Sequence, residues 1–188
     1  MRIVKAATSL FLERGYASTT VEAIASSAMV GVATVYQAFG TKAGVLAKAL
    51  DAAIAGDDEP VAILERDWVV AARAETDAPR RLSAVVRGAA GVAARTAPLK
   101  EVMRDAAATE PAIRSLLDED EARRMVTQRE LVAIAVGRRP TEDEVATFYA
   151  LLNSHSYRLA AARLGWDESR WRRWLVEVMT RQFLVDRA

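Results

Sequence analysis

The sequence predicts an all-α protein made of a small N-terminal helical bundle and a larger C-terminal one. Apolar residues recur three and four apart from Ile3 to Phe183, the spacing of one face of a helix. Alternation of period two, the mark of a half-buried strand, is sustained nowhere. Gly15, Gly40, Gly165, Pro98, Pro111 and Pro140 punctuate the periodic segments where helices are expected to stop.

Ile3, Ala7, Leu10 and Phe11 form the buried stripe of a first helix that Gly15 ends. Thr19 and Glu22 have capping-box spacing and open a short second helix whose buried stripe is Val21, Ile24, Ala25 and Ala28. A turn at residues 29–31 leads into "VATVYQAF", where Val35 and Phe39 share one face. Gly40 ends this helix, and Thr41 caps a fourth with the stripe Val45, Leu46, Ala49 and Leu50. The run "GDDEP" at residues 56–60 is the first boundary, dividing a domain of residues 1–55 from one of residues 56–188.

Helical periodicity continues beyond it. Residues 60–77 carry Ile63, Leu64, Trp68 and Val69; a small-residue helix over 79–97 includes Gly88 and Gly91, which permit close backbone approach. Thr141 and Glu144 form another capping box, opening a helix expected to run through Val145, Phe148, Tyr149, Leu152, His155 and Leu159 to Gly165. Asp167 caps the last helix, which is apolar over most of its circumference.

The 188 residues are 52% hydrophobic and 27% charged, ample for a buried core. With no cysteine and a single histidine, His155, disulfides, thiolate metal sites and a Ser-His-Asp triad are not expected, nor is any cofactor. No apolar run approaches a membrane span, and the first residues lack the pattern of a signal peptide, so a cytoplasmic protein is expected. The formal net charge is +1; residues 1–55 carry five cations against three acids, or 5 − 3 = +2, leaving −1 for the rest. That asymmetry alone selects no partner.

Two short helices joined by a tight turn form a helix-turn-helix, whose second helix enters the DNA major groove. With Val35 and Phe39 turned inward, Val32, Ala33, Thr34 and Gln37 face outward. Gln pairs with adenine through two bonds, and Thr or small apolar side chains suit the thymine methyl. Tyr36 can send its hydroxyl to a phosphate, and Lys42 adds charge beside free N–H groups of a helix start. Such a helix is short because DNA completes it. Singly, Tyr36 reads better as a core tyrosine and Lys42 as a solvated lysine; the combined pattern favours phosphate contact.

Through "ATSLFLERGYASTTVEAIA" and "VATVYQAFGTKAGVL", the span from Ile3 to Leu50 resembles the DNA-binding domain of TetR-family transcriptional regulators. The resemblance implies a three-helix helix-turn-helix domain with DNA contacts from Thr19, Thr20, Val32, Ala33, Thr34, Tyr36, Gln37, Thr41 and Lys42. Met29 stands where the family usually has a turn glycine, so the turn is expected to be strained or reshaped. Gly31 replaces a Ser or Thr cap, and Val32 a polar or basic residue. The chain also begins almost at the first helix, without the basic arm that many relatives carry.

The C-terminal part is similar in layout to the family's ligand-binding and dimerisation domain. An enclosed apolar effector cavity is expected there, with Trp68, Met103, Phe148 and Leu152 as candidate walls, although each also reads as plain core. The resemblance implies a four-helix homodimer interface from the last two helices, including Trp171, Leu175, Val178, Met179 and Gln182. His155 reads as a core or interface histidine. The "DEDE" run at 118–121 reads as a solvated face rather than a metal site, and the doublets Arg80/Arg81, Arg138/Arg139 and Arg172/Arg173 as surface. The function expected is a dimeric repressor that a small apolar ligand releases from an inverted-repeat operator in double-stranded DNA. The alternatives are an effectorless DNA-binding regulator and, less favoured, a helical carrier or enzyme.

Overall fold

The computed structural model describes residues 2–56 and 61–185, and all its regular structure is helical. The boundary expected at "GDDEP" lies, from Asp57 to Pro60, outside the described residues. The helices are α1 (Arg2–Arg14), α2 (Val21–Ala28), α3 (Val32–Phe39), α4 (Lys42–Ala55), α5 (Asp67–Ala74), α6 (Ala78–Ala106), α7 (Pro111–Val136), α8 (Glu142–Leu151), α9 (Ser154–Leu164) and α10 (Glu168–Thr180). A 3-10 turn at Ile63–Glu65 precedes α5, and a π-helical turn at Arg181–Val185 follows α10.

Packing divides the chain into two compact units. The first joins residues 1–59 to residues 98–121, and the second joins residues 60–97 to residues 122–188. The first has its core in Ala7, Leu10, Phe11, Ile24, Val35, Val45 and Leu46, with Leu99, Met103 and Ile113 from α6 and α7. The second is built on Val69, Leu82, Val86, Leu131, Phe148, Trp171, Leu175 and Met179.

Four local expectations change in three dimensions. The cap of α2 is Thr20, whose hydroxyl accepts from Ala23 N at 3.1 Å. Thr19 turns inward instead, and its hydroxyl donates to the carbonyls of Leu10 and Gly15 at 3.2 and 2.8 Å. Pro98 does not stop its helix, because α6 runs through it to Ala106. The single helix expected through Leu159 is two, divided at Leu152 and Asn153. Asn153 serves both ends, since its Nδ2 donates to the carbonyls of Tyr149 and Ala150 while its Oδ1 accepts from Ser156 N. Buried Gln128 donates to the Leu152 carbonyl at 2.9 Å, so the break satisfies its backbone groups.

The remaining caps form as expected. Thr41 accepts from Gly44 N, Thr141 and Glu144 complete a reciprocal capping box, and Asp167 accepts from Arg170 N. Within the "DEDE" run, Asp118 and Glu119 are exposed, but Asp120 is buried and ion-pairs with buried Lys100 at 2.6 Å. Burying one charge without its partner costs several kcal/mol, so the pair stands or falls together.

Candidate nucleic-acid interface

Helix α3 is eight residues long, and Val35, at 1% exposure, is its one fully buried side chain. Val32 and Phe39 are half-buried and pack on the same core. Ala33, Thr34, Tyr36, Gln37 and Ala38 are exposed together. Val32, expected to face outward, is half-buried, with part of its isopropyl group packed against the bundle.

The helix is positioned by its ends. Met29 adopts φ 55° and ψ 50°, the left-handed conformation that a turn glycine would supply without cost. Its N–H closes on the carbonyls of Ala25 and Ser26 and ends α2, while its side chain stays 78% exposed. The turn is therefore strained rather than reshaped. Gly31 begins α3 without a side-chain cap, which leaves the first N–H groups of the helix open to an acceptor from outside. Gly40, at φ 71°, ends α3, and Thr41 at once starts α4.

Lys42 is half-buried and directed, not loosely solvated. Its Nζ donates to the Tyr16 carbonyl at 2.9 Å and lies 4.1 Å from the centroid of the Tyr16 ring. Burial, with the carboxylate of Glu110 adding to it, holds the Tyr16 phenol above its ordinary pKa. The ring therefore stays neutral, and the contact is cation–π in kind. The ammonium keeps two further protons for an anion.

The surface thus gathers exposed Thr20 and Thr41 at two helix starts, Lys42 beside the second, and Ala33, Thr34, Tyr36 and Gln37 along α3. Thr19, expected among the DNA contacts, is fully buried with its hydroxyl bonded to main chain, so it props the turn from within. Ala38 joins the exposed face without having been singled out; the helical period from Thr34 would have found it.

Residues 3–49 match the family model for bacterial regulatory proteins, tetR family. No curated protein matches the chain. Among solved structures, the chain is similar to a TetR-family transcriptional regulator from Syntrophomonas wolfei, with TM-score 0.72, 18% identity and coverage of 100% of this chain and 96% of that one. It is also similar to the transcriptional regulator FadR from Bacillus subtilis in complex with stearoyl-CoA, with TM-score 0.70, 16% identity and coverage of 95% and 96%. A transcriptional regulator from Saccharomonospora viridis in complex with choline gives TM-score 0.66, 19% identity and coverage of 97% and 95%.

Fold and surface together define an all-helical chain whose N-terminal helix-turn-helix matches that of bacterial transcription regulators. Residues 3–49 are thus similar to the helix-turn-helix domain of that family, and the chain as a whole has the fold of solved TetR-family regulators.

The other expected site residues are dispersed. Phe148 and Leu152 are core at 0% and 2% exposure, and half-buried Trp68 packs against the same core. Met103 lies in the core of the first unit. Trp171, Leu175 and Met179 are 0% exposed and pack in the subunit's own core, whereas Val178 is half-buried and Gln182 exposed. The helical stripe 171–175–179–183 faces inward, and the apolar width noted in the sequence belongs to this core. His155 is exposed at the start of α9, because the break at Asn153 turns it away from the Phe148 stripe.

Proposed function

We propose that the protein is a homodimeric transcriptional repressor that binds an inverted-repeat operator and is released by a small molecule. The observation that supports this most directly is the exposed set Ala33, Thr34, Tyr36 and Gln37 on an eight-residue helix with one fully buried side chain. Gln37 and Thr34 are assigned to base edges, and Tyr36, Thr20, Thr41 and Lys42 to phosphates. Residues 1–55 act as the DNA-binding domain and residues 56–188 as the effector and dimerisation domain, although the first packing unit also draws in residues 98–121.

Dimerisation is assigned to the outer faces of α9, α10 and the π-helical turn that follows, where Leu159 is 56% exposed and Val178 and Gln182 are accessible. The two-fold axis would set the recognition helices ~34–36 Å, or a multiple, apart on one side of the duplex. Complexes of similar folds with stearoyl-CoA and choline support a small-molecule effector, with Trp68, Phe148 and Leu152 as apolar walls. The near-complete burial of Phe148 and Leu152 in core supports the second reading, a regulator without an effector. Among the described residues no helix is long and apolar enough to cross a membrane, which accords with a cytoplasmic protein.

Fluorescence anisotropy with a selected inverted repeat and a scrambled duplex tests the reading. Tighter binding to the repeat is expected, and equal affinity for both would refute it.

A further inference from the structure

We propose that an arginine-lined cleft in the second compact unit binds a small molecule bearing a phosphate or pyrophosphate group, on residues outside the helix-turn-helix. The cleft is open and has a volume of about 750 Å³, within the range of ~300–1,000 Å³ usual for small-molecule sites. Arg73 of α5, Arg81 of α6, Arg129 of α7, and Arg138 and Arg139 after α7 contribute five guanidinium groups, and Glu130 is the acid among its lining residues.

These arginines divide by partner. Arg138 holds Glu144 through two bonds of 2.6 and 3.0 Å, and Arg129 holds Glu142 through two of 2.7 and 2.9 Å. Arg81 bonds only main-chain oxygens, those of Glu75, Thr76 and Ala135, at 3.1 to 3.4 Å, so its charge is fixed in place but not cancelled. Gly137, at φ +69°, makes room for it, since a Cβ there would collide with the Arg81 guanidinium. Among the described residues, the side chains of Arg73 and Arg139 form no hydrogen bond or ion pair, although the charge of Arg139 also helps Arg129 hold Glu142 ionised.

Five cations against Glu130, Glu142 and Glu144 leave 5 − 3 = +2 at the cleft. Like charges gathered in a concavity attract a counter-ion. A carboxylate brings one negative charge, whereas a phosphate monoester brings about −1.5 to −2 at pH 7 together with three acceptor oxygens. The planar fork of arginine matches phosphate through paired bonds. Charge and donor geometry therefore fit a phosphate group better than a carboxylate.

Isothermal titration of the full chain with sodium pyrophosphate at pH 7 tests this. Saturable binding is expected, weakened by about tenfold or more in the Arg73→Ala/Arg139→Ala double variant. Glu130→Gln, which removes the repelling acid, should strengthen it, so the test stands even if the double variant folds poorly. Arg163→Ala, at an exposed position of α9 outside the cleft lining, should change nothing. Heat that never saturates, or an equal loss from Arg163→Ala, would overturn the site in favour of general anion attraction. A double variant that loses affinity for non-specific duplex while keeping pyrophosphate would also overturn it, assigning the arginines to DNA.

Discussion

The ammonium of Lys42 is bound to the main-chain carbonyl of Tyr16, 26 positions earlier, and lies over the ring of the same residue. One side chain thereby ties the start of α4 to the chain leaving α1, and holds a positive charge where the helix-turn-helix would meet phosphate. Structure and binding are coupled at this position. Lys42→Ala should lower thermal stability by ~1 kcal/mol through the missing hydrogen bond. It should also weaken specific and non-specific DNA alike, reducing the slope of log affinity against log salt by ~1 for each phosphate no longer neutralised. A lower melting temperature with an unchanged salt slope would restrict Lys42 to its structural role.

Gln37 should behave in the opposite manner. It is exposed and has no structural duty, so Gln37→Ala should leave stability and salt slope intact. Preference at one base pair of each half-site should relax by ~1–3 kcal/mol. Anisotropy with matched and altered half-sites reads the difference.

The strain at Met29 is open to measurement. A non-glycine residue in the left-handed region costs of order 1–3 kcal/mol, and this side chain is 78% exposed, so little burial offsets that cost. Met29→Gly should stabilise the protein by ~0.5–1 kcal/mol, after the extra backbone entropy lost by glycine is subtracted. Thermal unfolding should show a rise in midpoint; a fall would mean that the Met29 side chain makes contacts worth more than the strain.

Gly88 supports the Trp68 ring at a distance that no Cβ would allow. Gly88→Ala should therefore destabilise by ~1–3 kcal/mol through overpacking. In a Trp68→Ala background the same change should cost far less, because the group it strikes is gone. A double-mutant cycle by urea unfolding measures this coupling. Additive effects would show that the ring moves aside freely.

Leu175 and Leu159 separate core from interface. Leu175→Glu buries a charge in the subunit's own core and should cost several kcal/mol, unfolding the second unit whether or not a partner is present. Leu159→Glu with Val178→Glu should keep native helicity but yield monomers by light scattering. A folded dimer from that double variant would place the interface elsewhere.

What the residues determined unaided was local and periodic. The stripes of α1 to α4, the capping roles of Thr41, Thr141 and Asp167, and the exposed order of Ala33, Thr34 and Gln37 follow from helical geometry and neighbouring side chains. Tertiary packing decided everything that compares distant segments. It chose Thr20 over Thr19 as cap, because Thr19 could satisfy its hydroxyl on Leu10 and Gly15. It buried Asp120 from an acidic run by supplying Lys100. It claimed Trp171, Leu175 and Met179 for the subunit's own core, and it gathered Arg73, Arg81, Arg129, Arg138 and Arg139 from four stretches of chain into one cleft. A helix reveals its apolar face through its own period, but whether that face meets its own chain or a partner depends on surface contributed by residues far away in sequence.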